Sequence, residues 1–309
     1  MKVLVTGGAG FIGSHVVDAL IARGDQVVIV DRQLSQRKRF TNPKATVYKI
    51  NLGDEEFNEV FLKEKPDAVC HLAAHISVPG SVADPIHDAM ENIIHPLKFL
   101  KYSKDVGCKK IVFASSGGAI YGDHPVLPTP EVFDSLPISP YGVSKQAFER
   151  FLAGFHKTDG LAYTSLRFSN IYGPRQALLG GGEGGVVPVF ITQVLKGEDV
   201  EIFGDGTATR DYLYVLDATD AFLKALDSDF VGSVNISTGK EVSLTRFTDL
   251  LKGLHGDFNV RVGDERPGDI KRSALLPNRA KEAIGWSAST TFEEGLTKTY
   301  TWFKEQQTT

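Results

Sequence analysis

Along the first half of the chain, short apolar runs alternate with longer stretches in which apolar residues recur every three or four positions. Lys2–Thr6, Gln26–Asp31, Thr46–Ile50, Ala68–Leu72, Ile111–Ser115 and Ala162–Phe168 are apolar runs of strand length. Phe11–Arg23, Glu55–Glu64, Asp84–Val106 and Pro140–Lys157 carry the helical period. Gly24 stands as a stop after the first of these. Pro140 falls in the first turn of the last, where its missing N–H costs nothing. Strand–helix alternation predicts right-handed crossovers and an α/β fold of Rossmann type, a doubly wound parallel sheet with helices on both faces. After about residue 170 the texture changes. Glycines crowd at 180–182 and 184–185, and short strands such as Val200–Phe203 and Asp211–Val215 follow, as in a smaller mixed α/β lobe. Leu216–Leu226 regains the helical period and is expected to return to the first sheet. The expected organisation is a dinucleotide-binding domain, 1–170 with 215–230, and a substrate lobe, 171–214 with 231–309.

Composition narrows the partners. The chain has 309 residues, 42% hydrophobic and 23% charged, with a net charge of -4, and reads as an ordinary globular protein. Without a basic excess, neither nucleic acid nor an anionic membrane is an expected partner. No apolar run is long enough to span a bilayer. Met1-Lys2 leads straight into Val3-Leu4-Val5 with no leader-like region, so a cytoplasmic location is expected. Cys70 and Cys108 lack ligand spacing and read as buried small hydrophobes, and no metal site is expected.

The first candidate site is the segment Thr6-Gly7-Gly8-Ala9-Gly10-Phe11-Ile12-Gly13. A buried strand enters glycines at 7, 10 and 13 and leaves as a helix. Gly7 suits the tight turn, Gly10 the approach of a pyrophosphate, and Gly13 the close packing of helix on strand. The helix N-terminus adds free N–H groups and a positive dipole end. Asp31 ends the next strand, where a carboxylate accepts the hydroxyls of an adenosine ribose and repels a 2′-phosphate, favouring NAD over NADP. Arg32, beside it, could instead accept that phosphate.

The second is Tyr141-Gly142-Val143-Ser144-Lys145, which places a phenol and an ammonium on one face near a helix start. A cation and a positive helix end stabilise phenolate, so a lowered Tyr141 pKa and acid–base work on an alcohol are expected. Some 26 residues upstream, a strand ends in Ser115-Ser116, at the edge where open α/β sheets bind ligands.

Glycines spaced GxxGxxG within TGGAGFIGSH, followed by Tyr141 and Lys145, resemble the extended, nucleotide-sugar-modifying branch of the short-chain dehydrogenase/reductase superfamily, the NAD-dependent epimerase/dehydratase family. The resemblance covers almost the whole chain. It implies a Ser–Tyr–Lys triad of Ser116, Tyr141 and Lys145, with Ser115 as the other serine in reach. It implies that Phe11, Ile12, Asn51, Leu52, Leu72, Ala73, Ala74, Asn92 and Ser115 line the cofactor site. Asn51 stands where the family usually has an aspartate. On the substrate side Asn170 would hydrogen-bond a diphosphate, Val186 and Phe203 would flank a uracil, and Arg210 and Arg266 would clamp phosphates. Tyr212 and Asp269 are further candidates. Ser273 falls where some members carry a tyrosine, and its small side chain leaves room for an N-acetyl group. The implied activity is C4 epimerisation of a UDP-sugar, UDP-glucose and UDP-galactose first, by a homodimer pairing Asp84–Val106 and Pro140–Lys157 in a four-helix bundle. Other epimerases and reductases of the family, and a non-catalytic NAD sensor, are the alternatives. A 4,6-dehydratase would carry Asp-Glu where this chain has Gly117-Gly118.

Overall fold

A computed structural model describes residues 1–32, 40–133, 135–176, 185–264 and 270–307. Its first six strands are β1 (Lys2–Thr6), β2 (Gln26–Val30), β3 (Thr46–Tyr48), β4 (Ala68–His71), β5 (Lys110–Ser116) and β6 (Ala162–Phe168). The helices between them are α1 (Phe11–Arg23), α2 (Glu56–Glu64), α3 (Val78–Ala83), α4 (Pro85–Ala89), α5 (Leu97–Val106), α6 (Gly117–Ile120) and α7 (Pro140–Asp159). Beyond them come β7 (Asn170–Tyr172), α8 (Val186–Leu195), β8 (Val200–Phe203), β9 (Thr209–Arg210), β10 (Tyr212–Tyr214), α9 (Val215–Asp227) and β11 (Gly232–Ile236). The chain closes with β12 (Val242–Ser243), α10 (Leu244–His255), β13 (Val260–Gly263), β14 (Arg272–Ser273), α11 (Asn278–Ile284) and α12 (Phe292–Gln307).

Seven strands form one parallel sheet in the order β11-β6-β5-β4-β1-β2-β3. Alternation along β1 decides its two cores. Val3 and Val5 face α1, α9 and the fully buried Trp286, while Leu4 faces Phe57 and Phe61 of α2, Phe99 of α5 and Phe148 of α7. A third core, around Tyr172, Phe190, Phe247 and Phe292, holds the second lobe.

The structure shifts two sequence-based boundaries. β11 pairs with β6 through Ser233↔Ser165 and Asn235↔Arg167, so 232–236 belong to the main sheet rather than the substrate lobe. Residues of α11 and Trp286 also pack into the core on that face of the sheet. The expected single helix Asp84–Val106 is instead three segments. Asp84 caps α4 by accepting from the His87 N–H (2.9 Å), a π-helical turn follows at Met90–Ile94, and α5 starts only after Pro96. Proline has no N–H to donate, so the ladder restarts behind it. α7 begins as expected: the Ser139 hydroxyl accepts from the Gly142 N–H (3.2 Å) ahead of Pro140.

Among the described residues no helix is long and apolar enough to cross a membrane, and no cluster of metal-ligating side chains occurs.

Candidate active site

The sheet order reverses between β1 and β4, so the connections leaving these strands diverge and open a cleft of about 570 Å³ at their carboxyl ends. The glycine turn forms its floor. Gly7 has φ +71°, and a Cβ there would stand 2.8 Å from the Ala73 nitrogen. A Cβ on Gly13 would stand 2.1 Å from the Gly7 carbonyl oxygen, which explains why no side chain fits at either place. The Gly10 N–H donates to the Gly7 carbonyl (2.9 Å), and the Gly10 carbonyl accepts from Ser14 N–H (3.0 Å), starting α1. Asp31 lies just past β2. Its carboxylate accepts from the Ala9 N–H at 3.1 Å, which ties this acid to the glycine turn.

Gly10, Phe11, Ile12, Asp31, Arg32, Asn51, Leu52, Leu72, Ala73 and Ala74 all line this cleft. Asn92 does not. It is buried behind the wall, where its Oδ1 accepts from the His75 N–H (2.8 Å) and its Nδ2 donates to the His75 carbonyl (2.9 Å). It braces the segment after β4.

At the end of β4, Thr6 fixes a tautomer. Its Oγ1 accepts from the Leu72 and Ala73 N–H groups, each at 3.2 Å, so its proton goes to His71 Nδ1 at 2.7 Å. His71 is therefore neutral with its proton on Nε2. Burial, together with the charge of Lys145, holds its pKa well below the ordinary value.

Across the cleft, β5 ends in Ser115 and Ser116 and α7 opens with Tyr141 and Lys145, one turn apart. Alternation along the strand separates the serines. The Ser115 hydroxyl donates to Glu149 at 2.6 Å and is spent there. Ser116 faces the Tyr141 phenol and pulls its pKa down. Lys145 Nζ donates to the Ala114 carbonyl (2.9 Å), 4.7 Å from the Phe113 ring centroid and 5.7 Å from that of Tyr141. One expectation is overturned. Burial pushes the Tyr141 phenol up to about 12, outweighing Ser116, and the charge of Asp88 adds to the rise. Burial also lowers Lys145 to about 8, against the opposing pull of Asp88 and Glu149. Desolvation dominates both shifts because both groups have left water.

On the second lobe, Asn170 opens β7 and lines the cleft. Val186 is the first residue of α8, next to the cleft residue Gly185. Phe203 ends β8. Arg210, on β9, lies in register with Ser273 on β14 and donates to the Thr209 carbonyl at 2.8 Å. Val186, Phe203, Arg210 and Ser273 are not among the residues lining the cleft itself. Tyr212 is placed differently from the expectation. It is buried in the lobe's core, stacked on Phe292 at 4.9 Å, because its strand alternation points it inward. Arg266 and Asp269 lie outside the described residues.

Two groups were missed in the sequence. His75, Ile76, Ser77 and Glu91 also line the cleft. The first three come shortly after β4, beyond Leu72-Ala73-Ala74, and that position past a strand end was the available signal. The second group is a buried pair behind the triad: Glu149 takes three contacts from Arg167, at 3.1, 3.2 and 2.7 Å. Its signal was Glu149 standing one turn past Lys145.

The glycine turn with its acid, facing a Ser–Tyr–Lys set across a switch-point cleft, defines a dinucleotide-using enzyme of short-chain dehydrogenase/reductase type. The model of the NAD dependent epimerase/dehydratase family matches residues 3–237, and the chain belongs to that family. It is an NAD-using epimerase by that kinship. A putative UDP-glucose 4-epimerase of Methanocaldococcus jannaschii is 39% identical over 99% of this chain and all of its own length. A UDP-glucose 4-epimerase of Thermotoga maritima, solved with UDP-glucose, superposes with a TM-score of 0.96 at 44% identity, covering 99% of this chain and all of that one. A UDP-N-acetylglucosamine 4-epimerase of Methanobrevibacter ruminantium, solved with UDP-N-acetylmuramic acid, gives 0.93 at 38% identity, covering 99% and 98%.

Proposed function

We propose that this protein interconverts UDP-glucose and UDP-galactose by epimerising C4, with NAD retained through each turnover. The observation that carries the proposal is the placement of Ser116, Tyr141 and Lys145 across one cleft from the glycine turn and Asp31. The cradle fits NAD: side chains are excluded at Gly7 and Gly13, and Asp31 is held at the ribose end. When bound, NAD supplies a hydride acceptor and donor for C4 and a positive charge in the cleft.

Tyr141, as phenolate, takes the proton of the sugar 4-hydroxyl, and Ser116 steadies that oxygen. A phenol held near 12 needs added positive charge before it serves as a base near neutral pH. Asn170, Val186, Phe203 and Arg210, with Arg266 on the sequence reading, hold the UDP. The sugar is left free, so the 4-keto intermediate can turn and present its other face before Tyr141 returns the proton. No acid–base pair follows Ser116: Gly117 and Gly118 start α6, which disfavours dehydration. The retained Tyr141 and Lys145 disfavour a non-catalytic NAD sensor. Ser273, small and beside Arg210, supports acceptance of UDP-GlcNAc and UDP-GalNAc as well.

Incubation with a panel of UDP- and dTDP-sugars, without added NAD, tests the reading. Epimerised UDP-hexose is expected, and Tyr141→Phe should lower the rate about 10²–10⁴-fold. Wild type and Tyr141→Phe behaving alike would refute it, and no turnover of the acetylated pair would remove the Ser273 extension.

A homodimer is part of the proposal. Exposed apolar side chains gather on the segments expected to pair, among them Ile86, Met90, Ile94, Val143 and Phe151. A monomer mass by light scattering would overturn it.

A further inference from the structure

Arg32 follows Asp31 at the adenosine end of the cleft, where a free guanidinium is the ordinary means of accepting a 2′-phosphate. Here that guanidinium is engaged. Arg32 Nη1 donates to Glu91 Oε2 at 3.0 Å. Glu91 comes from the π-helical turn between β4 and β5, on the other side of the switch point from Arg32, so the ion pair spans the cleft mouth. The carboxylate is the more covered partner, its side chain 12% exposed against 42% for Arg32. Its other oxygen lies 3.3 Å from His95 Nδ1. The His95 ring in turn sits on Gly53, where a Cβ would stand 2.7 Å from its Cε1. Glu91 is thus built into the wall beside Asn51 and Leu52.

The charges decide what this does. Asp31 and Arg32 alone sum to zero, so a free Arg32 would offset the repulsion that Asp31 exerts on a 2′-phosphate. With Glu91 these three described residues sum to a net negative charge, and the arginine already has a carboxylate partner. We infer that Glu91 is the residue that makes this site select NAD against NADP, by occupying Arg32 across the cleft. A 2′-phosphate would have to displace Glu91 and then face two carboxylates rather than one.

This inference rests on the NAD site described above and not on the sugar chemistry, so its test reads cofactor binding alone and its failure is separate from any failure of the epimerase reading. Dissociation constants for NAD and NADP are measured by equilibrium dialysis on protein stripped of nucleotide. The nucleotide released by acid from the purified protein is identified in parallel. Glu91→Gln keeps the shape and removes the charge. It should narrow the NADP-to-NAD ratio roughly tenfold, the scale of one unit charge beside a phosphate in a partly hydrated site, and release a measurable fraction of NADP. Adding Arg32→Ala to Glu91→Gln should abolish that gain, because the gain is the freed guanidinium's. A ratio unchanged in Glu91→Gln, or a gain that survives Arg32→Ala, overturns the inference.

Discussion

Glu149→Ala would test how the catalytic strand is held. Glu149 is buried and accepts from three sides: Arg167 through three contacts, Ser115 Oγ at 2.6 Å and Ser233 Oγ at 3.0 Å. Arg167 passes a further N–H to the Tyr121 hydroxyl at 2.8 Å, which donates to Asn235 Oδ1 at 2.9 Å. Burial would pull the Arg167 pKa down, yet hydrogen bonding and charge from Glu149 lift it above its ordinary value, which shows how much rests on one carboxylate. Removing that carboxylate strands a buried charge, at a cost of about 3–5 kcal/mol. It also deprives two hydroxyls of their acceptor, about 1 kcal/mol each before water fills the space. The loss should be about 5–7 kcal/mol at most, a large share of a stability of roughly 5–15 kcal/mol. Urea unfolding followed by the fluorescence of Trp286 and Trp302 measures it. Arg167→Met added to Glu149→Ala should recover about 2–3 kcal/mol, since the stranded charge is then gone. The reasoning fails if Glu149→Ala costs less than about 1 kcal/mol, the scale of one neutral hydrogen bond, or if Arg167→Met deepens the loss instead of relieving it.

Gly13→Ala should purify without bound NAD, because its Cβ would stand 2.1 Å from the Gly7 carbonyl oxygen and the glycine turn must shift to admit it; a normal nucleotide content in the purified variant would contradict this. The stability of the nucleotide-free protein should rise with pH from about 8 to 9, because Lys145 titrates at about 8 folded and near 10.5 unfolded, so the unfolded chain binds more protons there. Lys110, also lowered to about 8 by burial, adds in the same window, and toward pH 10 the buried Cys70 and Cys108, both raised by burial, offset the rise. Lys145→Met should remove about 1 kcal/mol of that rise; urea midpoints with identical pH slopes in both proteins would refute the assignment. Ser273→Tyr should suppress any turnover of the acetylated UDP-sugars while sparing the UDP-glucose pair, and equal loss on both pairs would count against a role at the sugar 2-position.

Much of this molecule was legible along the chain because its signals are local. Period-two and period-3.6 patterning placed β1, α1 and β6 at their observed bounds, and β2, β4, β5 and α7 to within two residues. The glycines at 7, 10 and 13, the acid at 31 and the Tyr141–Lys145 spacing are likewise short-range patterns, each tied to one turn, one strand end or one helix face. Pro96 is likewise a local signal, since α5 restarts directly behind it within the segment Asp84–Val106.

What remained was decided by residues far apart in the chain. Whether Ser115 or Ser116 meets Tyr141 depends on how β5 is rotated against α7, and the partner that claims Ser115, Glu149, is 34 residues away. β11 joins the main sheet through pairing with β6, which no local pattern announces. Tyr141 has a raised pKa, not a lowered one, because desolvation depends on everything packed around the phenol, whereas sequence shows only the lysine one turn on. Arg32 reads as a phosphate acceptor until the fold brings Glu91 across the cleft to it, 59 positions along the chain. Sequence therefore determined the elements and the chemical groups. Tertiary structure decided which groups meet, which are buried and what charge each one sees, because these depend on distance in space and on the loss of water.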